Sequence, residues 1–497
     1  METPHKLTSG KLLVRNTILN LMGQGMPLLV AFFAIPILIK SLGTDRFGII
    51  TIAWMLIGYL SLFDMGLGRA LTQLVAERLG KNDLEEIPAI FWTSSVIILL
   101  FSIAGAVIFM AIASPLVHGV LKIPSQLQHE TLLSLYLLAG SLPFVILTSA
   151  LIGFLSAYQR FDIINAIRVP LGIYNYIGPL LILPFSSGLV PMIAALIVGR
   201  GVAFFIHLLW CLKIAPKLKE TVTVRWSLAM PLFRFGGWMT VSNIIGPVMV
   251  YFDRFLIGSV ISVAAVAYYT TPYELVTKLW IIPTALINVL FPTFATTYTQ
   301  DSQHAMKFFA SAVKYLLLCL FPITLVIVAG AHQGLELWLG GDFADKSYRV
   351  LQWLAMGVFV NSLAQVPFAF LQGVGKPETT SKVHLVELVL YLPVLWWLVS
   401  HYGIEGAAIA WFGRVAVDTA CLFVLAWRYY RPNSGLVSST RYSIVFGMLV
   451  LFAVAMTPEI HMRYALTTVV LLLFSLYAWK VVLSRDDHAY ILSKLRS

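Results

Sequence analysis

Long uninterrupted apolar runs dominate this sequence and limit what it can fold into. A run of about 20 apolar residues can cross the hydrocarbon core of a bilayer as one α-helix. Of the 497 residues, 59% are hydrophobic and 11% are charged, whereas a soluble domain usually carries about 25% charged residues. A helix satisfies its backbone polar groups internally, as a lipid environment requires. The sequence therefore predicts an all-α polytopic membrane protein.

The apolar runs predict about fourteen transmembrane spans. They lie near residues 14–39, 45–67, 89–115, 131–155, 169–186, 189–212, 235–258, 264–295, 308–330, 349–371, 383–400, 405–427, 441–457 and 463–483. The run at 264–295 is too long for one straight crossing, so we expect a kink at Pro272 or Pro283 or a part outside the lipid. The first run is too long for a signal peptide, and we expect it to be retained.

Lys and Arg residues are distributed unevenly over the two sides of these spans. Alternate loops place 24 of the 34 basic residues on one side, including those at both termini, and only 6 on the other. Because cytoplasmic loops carry the excess of basic residues, both termini are predicted to be cytoplasmic. These loops also explain the net charge of +11, so we do not expect nucleic acid as a partner.

The four remaining basic residues lie inside predicted spans, and they are Arg200, Arg254, Lys278 and Arg414. A basic residue at the centre of a membrane helix costs roughly 2.5–3.5 kcal/mol. Such residues therefore face a watery cavity or a partner of opposite charge. We predict that these four bind the anionic part of a substrate.

An internal repeat relates two of the spans. Residues 194–200 read AALIVGR and residues 408–414 read AIAWFGR, and a short turn containing glycine precedes each. The repeat predicts two six-helix lobes in tandem, an N-lobe over residues 1–232 and a C-lobe over residues 233–436, with two further spans in residues 437–497. Transporters with internal repeats bind substrate near the repeat interface and alternate access around it.

A polar stripe runs along the first predicted span. Asn16, Asn20 and Gln24 are spaced four residues apart and so share one helix face. Asn243 in the seventh span matches Asn20 in a weaker repeat. Such polar faces turn away from lipid. Two interpretations stay open for them, hydrogen bonds between helices or the lining of a hydrated cavity.

Two of the intramembrane cations have an acid on the same helix face. Glu274 and Lys278 are four residues apart, as are Arg414 and Asp418, and this spacing predicts an ion pair in each case. One interpretation is that each pair only lowers the cost of insertion. The other is that the acid holds the base until an anionic ligand competes for it, and that the acids bind a coupling H⁺ or Na⁺.

The other charged candidates have no such partner on their own helix face. Arg200 has no acid three or four residues away, and His207 lies two turns further along the same face. Asp253 and Arg254 point about 100° apart on a helix and need not pair with each other. Arg254 then either faces the interior or extends to the membrane surface, and Asp64 is either part of a gate or a helix-end anchor.

No motif for catalysis or metal binding is present. The sequence contains no G-x-x-x-x-G-K-[ST], H-E-x-x-H or G-x-S-x-G pattern. Its three cysteines lie in separate apolar runs, which fits neither a disulfide framework nor a zinc site. The loops are too short for a catalytic domain. We expect a transport protein that is not an enzyme and uses no cofactor.

Several stretches resemble a known family of transporters. Residues 40–80 (KSLGTDRFGIITIAWMLIGYLSLFDMGLGRALTQLVAERLG), residues 251–295 (beginning YFDRFLIGSV and ending FPTFA), residues 371–377 (LQGVGKP) and residues 401–414 (HYGIEGAAIAWFGR) carry the resemblance. Together they resemble the polysaccharide transporters, the Wzx-type O-antigen flippases of the MOP superfamily.

This resemblance implies a MATE-like fold and a substrate class. The family transfers a polyprenyl-pyrophosphate-linked oligosaccharide from the cytoplasmic to the periplasmic leaflet of the bacterial inner membrane. Transfer occurs by alternating access coupled to an ion gradient, in the manner of an antiporter. Membrane lipids and the glycan polymerase machinery are the partners this implies. Two rivals stay open, an ion-coupled multidrug exporter of the same superfamily and a membrane glycan polymerase or ligase.

Overall fold

The computed structural model describes residues 10–60, 67–81, 83–230, 249, 251–287, 302–374, 377–429 and 434–482. Regular structure in these ranges is helical throughout and includes no strand, which confirms the predicted all-α fold class. The chain divides into two compact units, Met1–Tyr268 and Tyr269–Ser497. The predicted boundary between the lobes at residue 232 falls outside the described residues, so that division stays a prediction.

The first unit is built from α1 to α8. These are α1 (Gly10–Leu60), α2 (Leu67–Gly80), α3 (Ile87–Pro115), α4 (Ser125–Ala157), α5 (Phe161–Ile182), α6 (Leu189–Ile214), the single turn α7 (Lys217–Glu220) and α8 (251–260). A π-helical turn, Leu116–Val120, extends α3. The carbonyl oxygen of Gly258 in α8 accepts a hydrogen bond of 2.9 Å from the backbone N–H of Lys122, which follows that turn.

The chain continues through α9 (Val263–Thr277) into the second unit. The later helices are α10 (281–287), α11 (Ser302–Ala329), α12 (Ala331–Leu339), α13 (Gly341–Gly373), α14 (Pro377–Tyr429), α15 (Ser434–Met456) and α16 (Ile460–Tyr477). A 3₁₀ turn, Lys278–Trp280, interrupts the span predicted at 264–295 between α9 and α10. The kink expected at Pro272 or Pro283 stays a prediction.

Within the described ranges, seven helical segments are long and apolar enough to cross a membrane. They are Ile87–Val120, Ser125–Ala157, Leu189–Ile214, Phe308–Ala329, Gly341–Gln372, Glu378–Arg428 and Ile460–Lys480. The segment Glu378–Arg428 has 51 residues, which is enough for the two spans predicted at 383–400 and 405–427. The chain is therefore a multi-pass membrane protein, as predicted.

Glycine residues interrupt the two longest helices where the sequence predicts breaks between spans. Gly43 in α1 has φ +78°, and Gly403 in α14 has φ +61°. This left-handed region is open to glycine and strained for most other residues. Each long helix therefore consists of two helical halves joined at a glycine.

Several contacts join helix ends that the distribution of basic residues places on the same side of the membrane. At the C-terminal end of α3, Arg46 donates a hydrogen bond of 3.4 Å to Glu130, and Glu130 accepts one from the backbone N–H of Leu189. At the opposite end of α3, Lys217 pairs with Glu85. Each contact joins loops predicted to share one side of the membrane. Which end faces the cytoplasm stays a prediction.

Candidate functional site

The two halves of α14 form a helical hairpin that brings distant residues together. Gly403 reverses the chain, and a Cβ atom on Gly406 would overlap the backbone carbonyl of Leu398. Only glycine allows this close approach of the two halves. Side chains from 384 to 391 therefore face side chains from 414 to 418.

A cluster of four charged or titratable residues lies in this hairpin, and we define it as His384, Glu387, Arg414 and Asp418. Arg414 Nη1 is 3.8 Å from Glu387 Oε2, and His384 Nε2 is 3.6 Å from Asp418 Oδ1. One ring nitrogen of His384 and one carboxylate oxygen from each of Glu387 and Asp418 lie within 4.8 Å of one another. The two acids are 7% and 6% exposed, so their charges are held away from water.

Aromatic rings support the basic members of this cluster. The His384 ring stacks on Phe368 of α13, with ring centroids 5.9 Å apart and an interplanar angle of 18°. The Arg414 guanidinium carbon lies 5.5 Å from the centroid of the buried Tyr391 ring, a distance at which the ring face attracts a cation. These contacts hold the imidazole and the guanidinium close to the two carboxylates.

The predicted pairing of Arg414 with Asp418 is wrong. Among the described residues, the ion-pair partner of Arg414 is Glu387, and that of Asp418 is His384. The prediction considered only neighbours on one helix face, whereas the Gly403 turn brings the facing half of α14 closer. His384 and Glu387 were not predicted as site residues. Glu387 lies inside the span predicted at 383–400, and a search for intramembrane acids would have found it.

Arg200 of α6 is the corresponding cation in the first unit. Its Nη2 donates a hydrogen bond of 3.4 Å to Asn175 Oδ1 of α5, while its buried Nε has no partner among the described residues. Gly199, the residue before Arg200, lets α6 lie close to α5, because a Cβ atom at this position would overlap the Tyr174 ring. His207, predicted on the same face, is 2% exposed, and its Nδ1 lies 2.7 Å from the carbonyl oxygen of Ala203.

Arg200 and Arg414 occupy matching places in the internal repeat. Each follows a glycine in its helix, and each contacts a polar residue of the preceding helical segment, Asn175 in one case and Glu387 in the other. Both contacts are long for a hydrogen bond or an ion pair. Each guanidinium group is therefore only weakly held within its own unit.

Asp253 and Arg254 are buried and paired. Asp253 is 0% exposed and Arg254 is 1% exposed, and Arg254 Nη1 donates a hydrogen bond of 3.0 Å to Asp253 Oδ1. The sequence left this pairing open, and the structure shows it. The Arg254 guanidinium also lies over the Tyr251 ring, 5.2 Å from its centroid.

Glu274 and Lys278 form the predicted ion pair. Lys278 Nζ is 3.2 Å from Glu274 Oε2, and both side chains are more than a third exposed. Asp64 and Asn243 lie outside the described residues. Asn16, Asn20 and Gln24 lie in the helical part of α1 whose side chains are not described. The predicted polar stripe therefore stays a prediction.

An apolar cavity of about 530 Å³ lies beside α14 in the second unit. Its lining comes from α11, α13, α14 and α15 and includes the aromatic side chains Phe309, Phe412, Phe423, Trp427 and Phe452. Thr419 also lines the cavity, and its neighbour in sequence, Asp418, belongs to the charged cluster. A charged site and an apolar cavity therefore adjoin the same turn of α14.

Comparison with known proteins identifies the family. Residues 13–298 match the model of a family described as polysaccharide biosynthesis protein. A Shigella flexneri protein assigned to O-antigen transport is 34% identical over 426 residues, which cover 85% of this chain and 99% of that protein. A Haloferax volcanii protein assigned as a flippase of low-salt glycan biosynthesis is 23% identical, with coverage of 81% of this chain and 80% of that protein.

Solved structures agree with this family at the level of the fold. An inward-facing multidrug resistance transporter of the MATE family has a TM-score of 0.69 at 15% identity, covering 86% of this chain and 99% of that structure. The lipid II flippase MurJ, in an inward closed conformation, has a TM-score of 0.69 at 12% identity, covering 95% of this chain and 100% of that structure. With more than half of its length matched by the family model, the chain belongs to the polysaccharide biosynthesis protein family.

Proposed function

We propose that this protein is a flippase that moves a polyprenyl-pyrophosphate-linked oligosaccharide from the cytoplasmic to the outer leaflet of a bacterial inner membrane. The observation that carries this proposal is the pair of matching arginines, Arg200 and Arg414. A guanidinium group binds phosphate oxygens through two parallel hydrogen bonds. A phosphate group could therefore supply the contacts that Arg200, and likewise Arg414, makes only weakly within its own unit.

The lipid part of such a substrate also has a counterpart in the second unit. A polyprenyl chain is wholly apolar, and the cavity between α11, α13, α14 and α15 has an apolar and aromatic lining. The two C-terminal spans have no counterpart in the internal repeat, and α15 supplies one wall of this cavity. With the polyprenyl chain in this cavity, the charged cluster next to it would face the pyrophosphate headgroup of the substrate.

Movement across the membrane would follow alternating access driven by a bound ion. Transporters with internal repeats expose one substrate site to each side of the membrane in turn. We propose H⁺ or Na⁺ as the coupling ion, cytoplasmic termini, and glycan polymerase machinery as a partner in the membrane. Among the predicted cations, Arg200 and Arg414 are our first candidates for headgroup contacts, followed by Lys278. Arg254 is the least accessible of the four.

A multidrug exporter is the second candidate, because the MATE-family transporter has the same fold. Drugs carried by such exporters are typically organic cations, which intramembrane arginines would repel. The charge of the site therefore favours an anionic substrate over a cationic one. A membrane polymerase or ligase is less consistent with the family, whose relatives are assigned to transport.

A transport assay with both substrate classes tests this proposal. The purified full-length protein is reconstituted into vesicles that contain a short-chain polyprenyl-pyrophosphate saccharide, and transfer between leaflets is followed by lectin accessibility. Parallel vesicles are loaded with ethidium. We expect transfer of the saccharide without movement of ethidium. Movement of ethidium without transfer of the saccharide would replace the flippase with an exporter.

A further inference from the structure

The charged cluster in α14 contains two buried carboxylates and one permanent cation. Glu387 and Asp418 are 7% and 6% exposed, and Arg414 is the permanently charged base beside them. With a neutral His384 ring, these four groups carry a net charge of −1. A net charge inside membrane-spanning helices is costly. One added positive charge would remove it.

The carboxylate oxygens of the cluster have the capacity to receive a proton. Among the described residues, neither oxygen of Glu387 has a hydrogen-bond partner, and Oδ1 of Asp418 has none either. Their separations of 3.8 Å from Arg414 and 3.6 Å from His384 exceed hydrogen-bond lengths. Buried acceptors without a partner are costly. A proton on one carboxyl group would give the cluster the donor it lacks.

We propose that His384, Glu387 and Asp418 together bind one proton, and that Arg414 links the uptake of this proton to the binding of an anion. This proposal rests on the proposed flippase function and deepens it by naming a proton that binds at the same site as the anionic headgroup. It also adds two residues, His384 and Glu387, to the transport machinery. The proton would be shared among an imidazole and two carboxyl groups, all of which exchange protons in water near neutral or mildly acidic pH.

The charged surroundings of Glu387 consist of the cluster itself. Asp418, Arg414 and His384, all on α14, are the groups that act on it electrostatically. The neighbouring helix α13 contributes the uncharged Phe368 ring, which stacks on His384. Among the described residues, the remaining titratable side chains beside the cluster are Tyr391, under Arg414, and Cys421, which lies one turn beyond Asp418. Both are neutral at physiological pH.

A proton suits this cluster better than a metal ion. Hard metal cations take several oxygen ligands in a shell, whereas this cluster has an imidazole and an arginine among its members. The guanidinium lies 3.8 Å from Glu387 and would repel any metal ion held by that carboxylate. A proton avoids this conflict because it becomes part of the carboxyl group or the imidazole ring.

Binding of an anion to Arg414 would change the affinity of the cluster for the proton. An anionic ligand neutralises the guanidinium and leaves Glu387 and Asp418 without their permanent counter-charge. The acids then bind a proton more strongly. By thermodynamic linkage, a bound proton strengthens anion binding by the same factor. Proton and anion are therefore expected to bind cooperatively at this site.

Infrared spectroscopy of the purified full-length protein in lipid tests the proposal directly. We would follow the C=O stretching band of protonated carboxyl groups from mildly acidic to mildly basic pH. The part of this C=O band that is absent from the spectrum of Glu387→Gln reports the protonated Glu387 carboxyl group. In Arg414→Gln, and in wild-type protein with inorganic pyrophosphate as the probe, the midpoint of this component should move to higher pH. An opposite charge within 4–6 Å shifts such a midpoint by about 1–3 pH units.

Matched variants keep this experiment decisive. Glu378→Gln changes an acid on the same helix whose side chain is 86% exposed, and it should leave the band unchanged. Asp418→Asn serves as the second cluster variant if Glu387→Gln does not fold. A wild-type band that survives in both cluster variants would overturn the proposal. So would a Glu387 carboxylate that stays ionised throughout and responds to Na⁺ instead of pH.

The readout does not depend on flipping. If the band titrates as expected but no lipid-linked oligosaccharide is transferred in vesicles, the proton site stands and the proposed function is wrong. If transfer occurs while the band is unaffected by Glu387→Gln and Asp418→Asn, the flippase stands and the proton site is wrong. The two proposals therefore fail separately.

Discussion

Replacing Arg414 with methionine is the perturbation whose effect follows most directly from the geometry. The Arg414 side chain is 14% exposed, the Glu387 side chain is 7% exposed, and their charged atoms are 3.8 Å apart. Two opposite charges at that distance attract by about 4 kcal/mol at an effective dielectric constant of about 20. Methionine retains much of the apolar length of arginine but has no charge. The substitution therefore leaves two buried acids with no permanent cation beside them.

We expect Arg414→Met to lower the free energy of unfolding by about 3–4 kcal/mol at neutral pH, because breaking a buried pair leaves an uncompensated charge. Replacing both members, as in Arg414→Met with Glu387→Met, should restore a large part of this loss. Paired replacement of a buried ion pair by apolar side chains is often close to neutral. The double variant should thus be more stable than Arg414→Met alone.

The assay is unfolding by SDS in mixed micelles, followed by tryptophan fluorescence, on the two single variants and the double variant. Arg160→Met is the control, because Arg160 is 39% exposed and pairs with Asp162 at the start of α5, and exposed pairs contribute only about 0–1 kcal/mol. A loss below about 1 kcal/mol for Arg414→Met, with additive effects in the double variant, would refute the assignment of a coupled buried pair.

Three further substitutions test the packing of the helices and the buried Asp253–Arg254 pair. Gly357→Ala should destabilise the protein by about 1–3 kcal/mol through overpacking, because its new Cβ would overlap the buried Trp411 ring, whereas Gly413→Ala meets no atom within 4 Å and should have little effect. Thermal unfolding of both variants decides this, and equal midpoints would contradict it. Arg254→Gln should lower the free energy of unfolding by about 3–5 kcal/mol, because it removes the charge of one member of a buried ion pair. Retained stability with lost transport would instead support a headgroup role for Arg254.

The helical architecture could be predicted from the sequence because lipid imposes simple rules. Apolar length fixes the spans, and the glycines at the predicted breaks, Gly43 and Gly403, have positive φ. The 3₁₀ turn Lys278–Trp280, by contrast, was not predicted. Local backbone geometry of this kind depends on packing, which apolar length does not encode.

The charged cluster was only partly predictable, because its contacts join residues across a turn. Spacing along one helix correctly predicted the Glu274–Lys278 pair, but it assigned the wrong partner to Arg414. Glu387 reaches Arg414 only because Gly406 lets the two halves of α14 come close. The spacing of residues in the sequence predicts which of them share a helix face. Which of them form ion pairs also depends on the side chains of the helix that faces them.

The most direct test of the proposed function is leaflet transfer of a short-chain polyprenyl-pyrophosphate saccharide in vesicles, comparing wild-type protein with Arg200→Gln, Arg414→Gln and the exposed control Arg160→Gln. Correct folding of each variant is checked by its elution from a sizing column. The account predicts transfer by the wild type and the control, and at least a tenfold loss in each intramembrane variant, equivalent to about 1.4 kcal/mol of lost interaction with the headgroup. Undiminished transfer by both Arg200→Gln and Arg414→Gln would contradict it.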